Sequence, residues 1–185
     1  DLHSFPTRRS SDLAIPTGSV YSKKELEALK NVLLKYPNVI VVADEIYEHI
    51  NYVGEHASMA QFADIKDRVV IINGVSKAYA MTGWRIGFIA APDWIVKGCN
   101  KLQGQYTSGP CSVSQKAAEA AFAGPQQCVE DMRQACERRK NLIVKLAKEI
   151  PGLEVNDPQG DFYLFPKCSS FFGKIARSEE RVSRN

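Results

Sequence analysis

No apolar run in this 185-residue chain approaches the ~20 residues that a membrane helix needs, so none is expected. Charge of one sign is equally scarce. The 24 Lys and Arg stand against 21 Asp and Glu, and the net +3 is spread along the chain. That balance makes no case for nucleic acid or an anionic membrane as a partner. The N-terminus lacks the charged, then apolar, then small-residue order of a secretory signal. Cysteine is thinly used. Cys99, Cys111, Cys128, Cys136 and Cys168 are odd in number and form no CxxC pair. They read as free thiols in a reducing cytoplasm, with neither a disulfide framework nor a zinc site. The expected location is therefore cytoplasmic and the expected metal content none. Internal repeats and low-complexity tracts are absent as well.

What remains is the composition of an ordinary globular protein, 44% hydrophobic and 24% charged. Its length allows a substantial core in one or two domains.

Both ends look foreign to the gene. Arg9-Ser10-Ser11-Asp12-Leu13 can be encoded as CGC TCT TCC GAT CTN. The reverse complement of that string, read in frame, gives Arg-Ser-Glu-Glu-Arg, which is Arg177 to Arg181. Two arbitrary tails should not be antisense translations of one another, and the string resembles translated sequencing adapter. Residues 1–13 and 176–185 are therefore set aside from fold reasoning as non-native. The authentic stretch is expected to be an internal fragment of a longer protein.

Between the tails the chain has an α/β rhythm. Ser22 with Glu25 forms a capping box, and Leu26, Leu29, Val32 and Leu33 share one face of a helix ending near Tyr36-Pro37. Val39 to Ala43 is a short continuous apolar run, as expected of a parallel strand buried on both faces. Val69 to Asn73 repeats it, and Arg85 to Ala91 reads as a third strand. Helices are expected at 93–105, 112–123 and 126–149, the last stopping before Pro151-Gly152. Leu153-Glu154-Val155 and Phe162-Tyr163-Leu164-Phe165 read as strands of a second, smaller unit. The fold class is α/β, an open and mostly parallel sheet covered by helices.

The chemistry falls at strand ends, where such sheets collect ligands. Asp44 follows the first apolar run and Lys77 follows the second, inside Ser76-Lys77-Ala78-Tyr79-Ala80-Met81-Thr82-Gly83-Trp84-Arg85-Ile86-Gly87. Taken singly, Lys77 is a surface lysine, Asp44 a helix N-cap and Arg85 an ion-pair partner. Together they supply what pyridoxal 5′-phosphate asks of a protein. Lys77 offers the imine-forming amine and then a general base. Asp44 offers a carboxylate that keeps the pyridine nitrogen protonated, and Tyr47 a phenol that reaches the ring oxygen. Ser76 and Arg85 offer a hydroxyl and a planar fork for the phosphate.

With those residues in view, the chain resembles the fold-type I pyridoxal-phosphate class I aminotransferases, in their aspartate/prephenate aminotransferase branch. The resemblance runs through Pro16-Thr17-Gly18, Asp44-Glu45-Ile46-Tyr47, Ser76-Lys77-Ala78, Met81 to Gly87, and Pro158-Gln159-Gly160 before Phe162-Tyr163. It implies part of the cofactor-binding large domain over 14–125, then an interdomain helix and the start of a small α+β domain over 126–175. It implies the cofactor roles just given for Asp44, Tyr47, Ser76, Lys77 and Arg85, amino acid and 2-oxo acid substrates, ping-pong Schiff-base chemistry and a homodimer. The preferred reaction moves the amino group of aspartate, or a related amino acid, to a 2-oxo acid such as 2-oxoglutarate. Two alternatives stay open: an elimination lyase on the same fold, and the cofactor-binding domain of a transcription regulator.

Two positions depart from the family pattern. Ile15 stands where an asparagine is usual, one base away in the codon. Asp161 stands where a small residue is usual, and is read either as a tolerated surface carboxylate or as one that repels anionic substrates. The resemblance also implies that a glycine-rich phosphate loop, a ring-stacking aromatic and the arginine that clamps the substrate carboxylate lie beyond this stretch. Gln103, Tyr106 and Ser108 are candidates to line the site near the dimer interface. Glu45 and Glu48 read as solvated or locally paired, and His49 and His56 as polar loop positions with no metal-ligand partner at useful spacing. Arg138-Arg139-Lys140 reads as the solvated face of the long helix.

Overall fold

The computed structural model describes residues 8–11, 13–14 and 16–173, with side chains from residue 16 onward. The expectation about Ile15 and the one about residues 176–185 lie outside the described residues.

Four strands form the main sheet: β1 (Arg8–Ser11), β4 (Val41–Asp44), β5 (Val69–Gly74) and β6 (Gly87–Ala90), in the order β1-β4-β5-β6. A two-stranded pair, β2 (Leu13–Ala14) and β3 (Ser19–Val20), lies apart from it. β1, β4 and β5 run parallel, with Val41 opposite Val69 and Asp44 opposite Ile72. β6 turns back antiparallel on β5, Gly74 facing Gly87. Mostly parallel is therefore right for the sheet, with an antiparallel last strand. β1 falls in the segment that the sequence reading sets aside. It completes the hydrogen bonding of β4, whose far edge otherwise presents unpaired amides.

The apolar runs form strands because both of their faces are covered. Val41, Ala43, Val69 and Ile71 are buried with Met59, Phe62, Ile65 and Leu26 in one cluster. Each of these side chains other than Ala43 contributes ~1.5–3 kcal/mol when withdrawn from water. Leu26 comes from α1 (Lys23–Leu33), whose capping box is complete: Ser22 accepts from the Glu25 N–H, and Glu25 accepts from the Ser22 N–H at 2.8 Å. Only Leu26 of that helix is fully buried, and Val32 is half exposed. The helix end is tied to β5 instead by Arg68, which donates to the carbonyls of Leu33, Tyr36 and Val39 at 2.8, 2.7 and 3.0 Å.

The later helices appear within a residue or two of the expected bounds, as α2 (Asp93–Tyr106), α3 (Ser112–Ala123) and α4 (Gln127–Lys148). They cover the sheet less than expected: α2 buries no residue and β6 is largely exposed, although Phe122 of α3 meets Phe88 of β6 at 5.8 Å. The expected strand at 153–155 reduces to an isolated bridge, Glu154 with Lys167, and that at 162–165 does not form; a second bridge joins Asn51 to Gly160. Two chain segments without a third strand or a covering helix make too little buried surface to zip further.

Candidate active site

Because β4 and β5 are parallel and in register, their carboxyl ends open at the same edge of the sheet. The chain leaves β4 through Asp44 and keeps one more sheet bond, from the Glu45 N–H to Ile72 O at 2.8 Å, before turning. It leaves β5 through Gly74, which must be glycine. A Cβ there would lie 2.7 Å from the Ile86 carbonyl oxygen and 2.9 Å from Gly87 Cα. That close approach brings Ile86 and Gly87 against the Ser76 turn. The result is a cavity of about 280 Å³ lined by Asp44, Ser76 and Arg85, with Ile46, Asn73 and Ile86 among its walls. Three of the five residues expected from the sequence therefore meet at one opening.

Arg85 is held there at a backbone cost. It sits at φ 55°, the left-handed region that a side chain rarely adopts, and its guanidinium donates to Thr82 O at 2.8 Å. Asp44 is buried at the strand end, and Ser76 is partly so.

Lys77 and Tyr47 form the second group. The Lys77 Nζ lies 5.3 Å from the centre of the Tyr47 ring and 5.2 Å from that of Phe162. Tyr47 is almost fully buried and meets Phe162 edge-on at 5.4 Å. Burial pushes the Tyr47 phenol well above the usual range, and hydrogen bonding with Tyr163 adds to the rise. Phe162 was visible in the sequence only as part of a family motif. No spacing rule could bring it to Lys77.

A cross-chain clasp makes that contact. Gly18, at φ 69°, accepts from the N–H groups of Gln159 and Gly160 at 2.8 and 3.0 Å. Asn156 reaches Thr17 O at 2.7 Å, and Gln159 accepts from the Val20 N–H at 3.2 Å. The Pro16-Thr17-Gly18 and Pro158-Gln159-Gly160 motifs thus bind one another and present Phe162 to the site.

Asp161 is not at the surface. Its side chain is fully buried, which corrects the expectation of a tolerated surface carboxylate. The turn points it inward among Tyr47, Tyr52 and Tyr163.

Glu45 and His56 are locally paired. The Glu45 carboxylate is buried, accepts from Ser58 Oγ at 2.5 Å and meets His56 Nε2 at 3.0 Å. With Glu48 their ligand atoms fall within 4.8 Å of one another, a grouping the linear spacing did not reveal. Glu48 and His49 pair at 2.9 Å, which holds the carboxyl below its usual range and raises the imidazole. Tyr106 is strongly exposed, and Gln103 binds Thr107 on its own helix. Gln103, Tyr106 and Ser108 do not line the Asp44–Ser76–Arg85 cavity. Arg138 and Arg139 are exposed as expected, whereas Lys140 pairs with Asp157 at 3.0 Å beside the Tyr52 ring.

The donor set fits a phosphorylated pyridine aldehyde. A carboxylate suits a ring N–H, a hydroxyl and a guanidinium suit a phosphate, and an amine stands beside the cavity. Comparison with known proteins agrees. The model of the family "Aminotransferase class I and II" matches residues 15–182. The chain belongs to that family. The match runs on through most of the C-terminal segment set aside above. An aspartate aminotransferase of Geobacillus stearothermophilus is 50% identical over 155 residues, covering 83% of this chain and 39% of the relative. A bifunctional aspartate aminotransferase and glutamate/aspartate-prephenate aminotransferase of Petunia hybrida is 45% identical over 163 residues, 85% of this chain and 34% of the relative. The crystal structure of the Rhizobium meliloti aspartate aminotransferase superposes with a TM-score of 0.89 at 38% identity, over 93% of this chain and 44% of that one. The chain thus spans between a third and a half of the length of these aminotransferases.

Proposed function

We propose that this chain is the cofactor-binding part of a pyridoxal 5′-phosphate-dependent aminotransferase that moves an amino group from aspartate, or a related amino acid, to a 2-oxo acid such as 2-oxoglutarate. The observation that carries the reading is the convergence of Asp44, Ser76 and Arg85 on one cavity at the strand ends, with Lys77 following Ser76 directly.

Each residue has work suited to its chemistry. Asp44 accepts the pyridinium N–H from within the buried strand end, where low dielectric strengthens the pairing. Ser76 and Arg85 would hold the phosphate, for which a hydroxyl and a planar fork are suited donors. Tyr47 donates its phenol to the ring oxygen, its high pKa keeping that proton in place. The cofactor, when bound, supplies a carbonyl carbon that an amine can attack and a ring that withdraws electrons. Lys77 is the amine that holds it, and then the base that takes the proton from the substrate Cα. Phe162 sits against that amine, its ring centre 5.2 Å from Nζ.

In this reading the large domain covers residues 14–125, and residues 126–175 begin the smaller one. The full-length protein is a homodimer, a proposal supported by the exposure of Trp94, Leu102 and Tyr106 on α2, which needs a covering surface. Among the described residues no helix is long and apolar enough to cross a membrane, which is compatible with the expected cytoplasmic setting.

The test is a product assay on the full-length enzyme supplied with pyridoxal 5′-phosphate, aspartate and 2-oxoglutarate. Oxaloacetate with glutamate is expected. Pyruvate or ammonia instead assigns a lyase, and no product favours the regulator. Borohydride reduction of the loaded protein must also label Lys77, and a label elsewhere removes it from its place in the reading.

A further inference from the structure

Asp161 is a buried acid that the reaction above does not use. Its Oδ1 accepts from the Tyr163 N–H at 2.5 Å, whereas its buried Oδ2 meets no hydrogen-bond donor among the described residues. The Asp161 N–H donates to Ile50 O at 2.8 Å, and its carbonyl accepts from the Tyr52 hydroxyl. Its φ of 54° lies in the left-handed region, which Asp tolerates better than most residues. These bonds lock the turn whose next residue is Phe162, seated on Tyr47 and Lys77.

An ionised carboxylate with one oxygen unpaired in the interior is costly, and the neutral acid is far less so. Burial accordingly pushes the Asp161 carboxyl up to about 6, opposed only by the Tyr163 N–H. The titratable and charged groups around it are few. Tyr163 lies on its own turn, Tyr47 and Asp44 come from the end of β4, and Lys77 from the end of β5. Tyr52 faces it from the segment after Ile50, with Cys136, Glu137, Arg133 and Lys140 of α4 around that ring.

We propose that Asp161 is a positioning residue for Lys77: its proton keeps Phe162 seated over the amine, and its ionisation unseats the ring. The consequence for catalysis rests on Lys77 being the reacting amine, but the proton-linked movement does not. The sign follows from the two ionisations. In the seated turn the acid titrates at about 6, and in an open, hydrated turn at about 3.9. Seating is fully favoured below about pH 4 and loses about tenfold per pH unit up to about pH 6, roughly 100-fold in all. Above that it changes no further.

The test is NMR on this chain without cofactor, with 13C-labelled Asp and Lys. The side-chain carboxyl of Asp161 is expected to titrate between its seated value of about 6 and the open-turn value of about 3.9, because unseating draws the midpoint down. The ε-methylene of Lys77, shifted upfield by the two rings, is expected to relax toward its free value over the same pH range. Asp161→Asn is isosteric and cannot ionise, so it should hold the Lys77 shift at every pH. Phe162→Ala should remove the part of the shift due to that ring and identify it. An Asp161 titration near 3.9, or a Lys77 shift that relaxes equally in Asp161→Asn, overturns the proposal. Neither result depends on transamination, so failure of the proposed reaction reads out separately.

Discussion

The Lys77 Nζ sits against a pair of aromatic rings, 5.3 Å from the centre of Tyr47 and 5.2 Å from that of Phe162, whose own centres are 5.4 Å apart. One ring comes from just beyond β4 and the other from the turn after Gly160, so the amine has both contacts only when these distant segments meet. At a partly exposed site such a contact contributes ~0.5–1 kcal/mol. Phe162→Leu keeps apolar bulk but removes the ring's charge distribution. Lys77 acylation, followed by peptide mapping at fixed pH, is expected to run about 2–5-fold faster in that variant. An unchanged rate means that Phe162 does not hold the amine.

Arg85 sets stability against binding. Its left-handed backbone costs ~1–2 kcal/mol for an L-residue and nothing for glycine. Arg85→Gly is therefore expected to raise the unfolding free energy of the cofactor-free protein by up to ~1 kcal/mol, the greater unfolded-state freedom of glycine offsetting part of the relief, seen as a higher urea midpoint. The same change deletes a charge-assisted fork, worth ~1.5–3 kcal/mol, and should weaken pyridoxal 5′-phosphate about 10–150-fold by equilibrium dialysis. Arg85→Lys should leave stability unchanged and still lose affinity, because a point charge cannot contact two oxygens in one plane. Loss of both stability and affinity in Arg85→Gly would contradict the division.

Much of this was legible because the relevant signals are local. Ser22 and Glu25 are three residues apart and form the capping box that spacing predicts. The valine-rich runs, buried on both faces, became β4 and β5, and that placed Asp44 and Ser76 on one cavity. Position relative to a strand end is enough to find such groups. The rest depended on contacts between distant segments. Nothing adjacent to Asp161 in sequence shows that the Ile50 carbonyl and the Tyr52 hydroxyl will draw it inward. Phe162 reaches Lys77 only through the clasp of Gly18 with Gln159 and Gly160. The apolar pattern at 153–155 and 162–165 promised strands, but strand formation needs neighbours that those segments lack. The antiparallel return of β6 follows from the Gly74–Gly87 approach, which no periodicity encodes.

Arg68 is a buried cation that pairs with no carboxylate among the described residues and donates instead to three backbone carbonyls at and just beyond the end of α1. Leu33 closes the last turn of α1, where the negative end of the dipole welcomes a cation, and Tyr36 and Val39 lie in the segment that follows it. Arg68→Lys retains the charge but cannot span Leu33, Tyr36 and Val39 at once. A loss of ~2–4 kcal/mol is expected, seen in urea as a lower midpoint at unchanged slope. A loss below ~1 kcal/mol would show that α1 is held by Leu26 alone.

The pH dependence of folding offers a reading of Asp161 that needs no resonance assignment. Its acid is raised in the folded state, to about 6, above its value near 3.9 in the unfolded chain. The unfolded chain therefore releases this proton first as pH rises. Between about pH 4 and pH 6 the folded state loses stability on this account, and above that range the penalty is constant. Asp161→Asn has no such proton and keeps a carbonyl oxygen for the Tyr163 N–H. It also tolerates φ 54° at least as well as Asp. The substitution is expected to be near neutral at pH 4 and to stabilise by ~1–3 kcal/mol at pH 7, measured as the difference in urea midpoints at the two values. Asp161→Ala, which loses both the acceptor and the tolerance of a left-handed backbone, should remove the same pH dependence while lowering stability throughout. A difference between Asp and Asn that grows toward acid pH has the wrong sign for a raised acid, and would place the carboxylate in a favourable pairing instead.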